Sequence, residues 1–292
     1  MNPPAELLVW VESALGSEVR AAEPMAGGID AQTFRLDLSD ETSVVLRVTE
    51  PNHHEDIGYL AQVLDLLARS SLPAPRRLAH VEAVGPGGPP AMLQTLLVGD
   101  RTIPVDPTDD WLRELVRTIV SMQALAVEPW MHDRAGLRWA DLPEIATQEL
   151  EAADRALLEA LRTRGPTAPF TPVFGHDDFW VGNTLREGHH VVGIVDWGHA
   201  GVVSAARDAT YCAVDAGLCY GLDVGDRLLE LFTAEASVDP EEMLVWSARS
   251  VLSARFFEEW LAGWNGLGVP VTREQAARRR TELLERTLAR LG

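Results

Sequence analysis

Gly175-His176-Asp177-Asp178-Phe179-Trp180-Val181-Gly182-Asn183-Thr184-Leu185 is the stretch on which the reading of this chain turns. Within it, His176, Asp178 and Asn183 follow the spacing H-x-D-x-x-x-x-N. Asp196 comes 13 positions after Asn183, in Val195-Asp196-Trp197-Gly198, at the end of the apolar run Val191-Val192-Gly193-Ile194-Val195. These residue types suit phosphoryl transfer, in which charge spreads over the phosphoryl oxygens and the protein mainly positions groups and neutralises that charge. Asp178 can take the proton of an attacking hydroxyl, or orient that hydroxyl. The carboxamide oxygen of Asn183 and the carboxylate of Asp196 suit a hard, oxygen-seeking cation such as Mg2+. Short strands at Val173-Phe174, Thr184-Leu185 and 191–195 are expected to carry these groups into one site.

Outward from this centre, the chain changes character twice. Before it, Leu7, Leu8, Val11 and Leu15 fall on one helical face after Pro3 and Pro4. A turn-rich stretch follows at Pro24–Asp30. Phe34, Leu36 and Leu38 then alternate with polar residues, and with Ser43–Val48 they read as a hairpin. Leu60, Val63, Leu64 and Leu67 recur at helical spacing, so a helix is expected near 55–69, stopped by Pro73 and Pro75. Two apolar runs, Leu78–Val84 and Ala91–Val98, flank a Gly-Pro turn and give a second hairpin. From Trp111 onward helical periodicity dominates, with helices expected near 206–219, 225–234, 240–264 and 272–291. Thr272 with Gln275 makes a capping box for the last of these. The division expected is a small sheet-containing lobe over 1–98 and a larger, mainly helical lobe over 99–292. Ligand sites favour the cleft that such lobes enclose.

Composition narrows the chemistry. The formal net charge is −19, and all 25 basic residues are arginine. A surface this acidic disfavours nucleic acid as a partner and attracts cationic small molecules. Without lysine, any mechanism that requires one is excluded, including the lysine-dependent phosphate loop G-x-x-x-x-G-K-[ST]. No apolar run has the length of a membrane span, the first residues lack a signal-peptide pattern, and two cysteines are too few for a disulfide framework. A cytoplasmic protein with no membrane partner is the expectation.

The catalytic stretch, with Asp196-Trp197, resembles the catalytic loop and metal-binding aspartate of the aminoglycoside phosphotransferase and choline kinase group. That resemblance implies an α+β, bilobal protein-kinase-like fold and a small-molecule kinase using Mg2+ with ATP or GTP. It implies Asp178 as catalytic base, Asn183 and Asp196 as metal ligands, and His176 and Asp208 as structural residues of the loop and its surroundings. Gly27-Gly28 resembles the loop between the first strands, at the nucleotide. Val45-Leu46-Arg47 resembles the strand that carries a phosphate-contacting base, Leu72-Pro73-Ala74-Pro75 the proline-marked end of the next helix, and Met92–Val98 the strand leading to the hinge. The implied partners are a nucleoside triphosphate and a small-molecule hydroxyl acceptor.

The chain departs from that pattern in several places. Arg47 stands where lysine is common, keeping the charge and able to bond phosphate bidentately. Its acidic partner is unassigned, with Glu55 and Asp56 as candidates. Asp177 stands where glycine is frequent, and is expected to face solvent or, alternatively, a cationic acceptor. Val203-Ser204-Ala205-Ala206 replaces a Gly-Asp-Pro-like stretch. Trp180, Asp177, Glu258 and Glu259 are the candidates for an acceptor pocket, since aromatic and acidic groups together suit a cation. Trp246, Trp260 and Trp264 are expected in the core by their helical spacing. Two alternatives stay open: a nucleotide-binding relative with little catalysis, and a metal-dependent hydrolase built on His176, Asp178, Asp196 and His199.

Overall fold

The computed structural model describes residues 3–25, 31–49, 56–85, 87–140, 142–145 and 150–292. Gly27 and Gly28, the expected nucleotide loop, lie outside the described residues, as does Glu55. The chain divides into two compact units, the first Met1–Gly99 with Val192–Gly198, and the second Asp100–Val191 with His199–Gly292.

Among the described residues the first unit is a five-stranded antiparallel sheet with two helices. Its elements are α1 (Ala5–Leu15), β1 (Val19–Pro24), β2 (Ala31–Leu38), β3 (Ser43–Thr49), α2 (Ile57–Leu67), β4 (Arg77–Val81) and β5 (Ala91–Thr95). The strand order is β1-β2-β3-β5-β4, so β3 is central and Arg47 sits opposite Met92 of β5. Leu7 and Val11 of α1 bury against Phe34, Leu36, Leu46 and Leu93, the apolar set that the period-2 and period-3.6 patterns single out. Asp56, a candidate partner for Arg47, instead caps α2 by accepting from the Tyr59 backbone N–H at 2.9 Å. β1 was not expected. It is an edge strand, mostly exposed, ending at Pro24, so it carries no alternating apolar signature.

The second unit is mainly helical. It contains α3 (Asp109–Gln123), α4 (Arg134–Ala140), α5 (Leu142–Ile145), α6 (Ala152–Arg164), β6 (Pro172–Gly175) and β7 (Thr184–Glu187). β8 (His190–Ile194) follows, running across the division between the units, and then β9 (Gly201–Ser204). The chain ends in α7 (Arg207–Cys219), α8 (Leu222–Glu235), α9 (Pro240–Ser253), α10 (Phe257–Gly266) and α11 (Arg273–Leu291). α7 is the buried axis: every residue but Tyr211 is buried, and it packs on α8 and α9. One expectation is corrected here. The helix expected over 240–264 breaks at a 3-10 turn, Ala254–Phe256, into α9 and α10. Val203-Ser204 belongs to β9, which pairs antiparallel with β6. The capping box is present, with Thr272 and Gln275 each bonding the other's backbone. Trp246 and Trp264 are fully buried, as their spacing predicts, whereas Trp260 is only half-buried. Among the described residues no helix is long and apolar enough to cross a membrane.

Candidate active site

The quoted stretch begins where β6 ends. A Cβ at Gly175 would come within 2.3 Å of Val203 Cγ2 and 2.6 Å of Asp208 Oδ2, so only glycine lets Asp208 approach this closely. Asp208, in the first turn of α7, accepts the backbone N–H groups of His176 at 2.8 Å and Asp177 at 2.9 Å. The loop is thereby pinned to the helix that follows it by 30 residues or more. Burial raises the Asp208 carboxyl above its ordinary pKa, offset in part by His176 and its backbone N–H. His176 is fully buried and meets Phe179 edge-on.

Asp177 does not face solvent, nor is its carboxylate left for an acceptor. It is buried, and its oxygens take Arg207 Nε at 2.8 Å and Arg138 Nη2 at 2.8 Å. Arg207 Nη2 also donates to the Asp177 carbonyl at 2.7 Å. Burial pushes this carboxyl up, but the Arg207 and Arg138 guanidiniums outweigh it and hold it below the usual range. Asp177 has φ +64°, a left-handed conformation that favours glycine and tolerates aspartate. The backbone thus explains why glycine suits this position, and the two arginines explain the aspartate.

Asp178 is half-buried at the turn. Asn183 Nδ2 donates to its carbonyl at 2.9 Å and to its Oδ2 at 3.2 Å. Asn183 is buried, and among the described residues none donates to its Oδ1. The ring of Trp180 lies over Gly182, where a Cβ would fall 2.2 Å from its Cη2, and reaches Gly263 of α10. Glu258 and Glu259, also on α10, are exposed, and Glu258 is taken up by Arg273 at 2.6 Å. No hydrogen bond or ion pair among the described residues joins either glutamate to Asp178.

The first unit holds the other two candidates together. Arg47, on β3, is nearly buried, and its Nη2 donates to Asp196 Oδ1 at 3.0 Å. Asp196 also has a left-handed φ, +65°. Its segment is tied to this unit by Ile194 N–H, which donates to the Pro73 carbonyl at 2.8 Å. Trp197 Nε1 donates to the Ile194 carbonyl at 2.8 Å and buries the ring. Arg47 is therefore no surface arginine, and Asp196 is an acidic partner of it among the described residues.

The groups that sequence reasoning missed are Arg138, Arg207, Tyr211 and Asp215. Three lie on one face of α7 at four-residue spacing, and the charged Arg207 and Asp215 inside an otherwise apolar helix were the available signal. Among the described residues no group of three or more His, Cys, Asp or Glu side chains is placed to hold a metal ion.

A sheet unit carrying Arg47 and Asp196, and a helical unit carrying the Asp178 loop, define a protein-kinase-like small-molecule kinase. Residues 21–246 match the phosphotransferase enzyme family, and the chain belongs to that family. A solved aminoglycoside phosphotransferase, a thermostable mutant of APH(4)-Ia in ternary complex with AMP-PNP and hygromycin B, aligns with a TM-score of 0.70 over 99% of both chains at 15% identity. A macrolide 2'-phosphotransferase type I aligns at 0.67 and 16% identity, covering 97% of this chain and 98% of that one. A macrolide 2'-phosphotransferase from Brachybacterium faecium aligns at 0.62 and 18% identity, covering 98% of this chain and 96% of that one. No curated protein sequence matches the chain.

Proposed function

We propose that this chain transfers the γ-phosphoryl group of ATP or GTP to a hydroxyl of a small molecule, with Mg2+ as the accompanying cation. The observation that carries the reading is the clamp of Asn183 on Asp178. Both bonds use the asparagine NH2, which orients the carboxylate and leaves the carboxamide oxygen for a cation. An uncharged oxygen there and a carboxylate at Asp196 fit Mg2+, which keeps phosphate and water among its ligands. When bound, the ion neutralises charge on the phosphate oxygens.

Asp178 receives the proton of the acceptor hydroxyl as the hydroxyl oxygen bonds to the γ-phosphorus. The bond from that phosphorus to the bridging oxygen breaks, and its electron pair leaves on the nucleoside diphosphate. Arg47 offers its guanidinium to the phosphates. Asp177 stays with Arg207 and Arg138 and keeps the loop in shape.

The structural neighbours include an aminoglycoside enzyme bound to hygromycin B and macrolide enzymes. Acceptors of those two classes are the first candidates, and the net charge of −19 favours a cationic one. A second reading, nucleotide binding without turnover, draws on the Arg47–Asp196 pair, because both groups proposed for phosphate and metal engage one another.

The test is a nucleotide-consumption screen of ATP and GTP, with Mg2+, against aminoglycosides, macrolides, sugars and amino alcohols. Acceptor-dependent release of ADP or GDP supports the proposal and names the acceptor class. Asp178→Asn should then lower kcat by roughly 10²–10⁴-fold while nucleotide affinity persists. Stabilisation by Mg-nucleotide without turnover in any arm moves the chain to the second reading. Neither binding nor turnover overturns both.

A further inference from the structure

Arg207 and Asp208 are the first two residues of α7, and between them they engage both backbone polar groups of Asp177 as well as its carboxylate. Asp208 Oδ1 accepts the Asp177 N–H at 2.9 Å, and Arg207 Nη2 donates to the Asp177 carbonyl at 2.7 Å. Arg207 Nε donates to Asp177 Oδ1 at 2.8 Å. One buried guanidinium thus spans the carboxylate and the carbonyl of a single residue, and that carbonyl belongs to the peptide leading into Asp178. The guanidinium is itself held. Its Nη1 donates to Ser250 Oγ of α9 at 3.4 Å, and its face lies over the Tyr211 ring, 4.3 Å from the centroid. Trp260 of α10 meets that ring edge-on at 5.9 Å and 75°. The placement runs against the helix, because a cation in the first turn of α7 faces the positive end of its dipole. A local rule broken at a buried position points to a role outside the helix.

We propose that Arg207 is the positioning residue of Asp178: its fork fixes the Asp177–Asp178 peptide, and with it the direction in which the Asp178 side chain leaves the loop. This rests on the reading of Asp178 as the base. The physical case is one of backbone freedom. Asp177 has φ +64°, a conformation that residues other than glycine visit seldom. Asp208 holds the peptide before Asp177 and Arg207 holds the peptide after it, so the rare conformation is imposed from both sides. Without Arg207 the second peptide can rotate about the Asp177 Cα–C bond, and Asp178 turns with it. A displacement of about 1 Å in a reacting group can cost about a hundredfold in rate. Charge balance at Asp177 has two sources, since Arg138 Nη2 also bonds the carboxylate, at Oδ2 and 2.8 Å. The hold on the carbonyl comes from Arg207. The clamp's function is therefore geometric, and its loss falls on kcat more than on nucleotide binding.

Two variants separate geometry from charge. Arg207→Met removes both the charge and the fork, whereas Arg207→Lys keeps the charge as a compact ammonium without the planar fork. Arg207→Lys is expected to recover most of the melting temperature that Arg207→Met loses. Its kcat should nevertheless stay roughly tenfold to a hundredfold below wild type, with the nucleotide KM within about twofold. Recovery of wild-type kcat in Arg207→Lys overturns the proposal, because a counter-charge alone would then suffice. A second measurement needs neither variant nor turnover. In the intact protein, nitrogen-resolved NMR of the arginine side chains should show separate Nη signals for Arg207, since bonds at Nε, Nη1 and Nη2 stop the guanidinium from rotating. Averaged Nη signals overturn the clamp. The spectrum reads the clamp even if no acceptor is phosphorylated, which separates a failure of this inference from a failure of the kinase reading.

Discussion

Asp177 shows how far one residue's role is set by partners distant in the chain. Its exposure could not be read from its neighbours, because Arg138 and Arg207 stand 39 and 30 positions away. Asp178, Asn183 and Asp196 could be singled out as candidates because their spacing is local and their chemistry singular. The charge pair around Asp177 is a tertiary fact. Asp177→Asn keeps a side chain that tolerates the left-handed backbone but leaves the buried Arg207 without its counter-charge. Such a change should cost about 3–5 kcal/mol in denaturant unfolding. The depressed carboxyl makes the acid behaviour specific: the stabilisation is complete above the unfolded value of about 4 and fades as pH falls through the lower folded value. The difference between wild type and variant should therefore shrink in acid. Asp215 has the opposite sign. Its carboxyl is pushed up to about 7, chiefly by burial and in part by the Asp178 charge, against the lowering effect of the Trp264 bond. Its favourable contribution is full below about pH 4 and is lost as pH rises to about 7, at up to about 1.4 kcal/mol per pH unit. In Asp215→Asn, which can still accept from Trp264, the stability–pH curve should flatten across that window. A curve that keeps the wild-type slope there would assign the dependence to another group.

Most elements were readable from periodicity, and the exceptions have physical reasons. β1 is an exposed edge strand, and β9 is four residues long, so neither presents a pattern to read. The break between α9 and α10 falls at Ala254-Arg255-Phe256, where no glycine or proline marks it, so period alone cannot punctuate it. Helix contacts are likewise invisible in a pattern, and the α7–α8 crossing is the clearest case. A Cβ at Gly225 would fall 2.4 Å from the Ala213 carbonyl oxygen and 3.2 Å from Gly217 Cα, both backbone atoms that cannot turn aside. A Cβ at Gly217 would meet nothing nearer than Leu222 Cδ2 at 3.5 Å. Helix propensity alone favours alanine over glycine by about 1 kcal/mol at either place. Sterics should reverse that sign only at Gly225. Gly225→Ala is expected to lose about 1–3 kcal/mol. Gly217→Ala is expected to be neutral or to gain up to about 1 kcal/mol. Thermal melts of the two variants, run together, check the pair of signs. Equal losses would mean that the crossing tolerates no added methyl at all.

At the scale of the whole chain, the charge balance bears on which acceptors arrive. A net charge of −19 produces a field that draws cations, while the carboxylates of Asp177 and Asp196 are each engaged by arginine. The attraction is therefore a property of the surface more than of a dedicated ion pair. Surface fields of this kind are screened over about 10 Å at 0.1 M salt and about 3 Å at 1 M. The same field opposes the approach of a nucleoside triphosphate, and under the proposed function Arg47 and a bound cation offset it locally. Two opposed salt effects follow. For a cationic acceptor, KM should rise severalfold between low salt and about 0.5 M, with kcat little changed, because screening weakens encounter and not the chemical step. For a neutral sugar turned over by the same protein, KM should stay flat over that range. Steady-state kinetics at matched Mg-nucleotide saturation separate the cases. If KM for the cationic acceptor is independent of salt, its charge is met by a close, desolvated contact rather than by the field of the acidic surface.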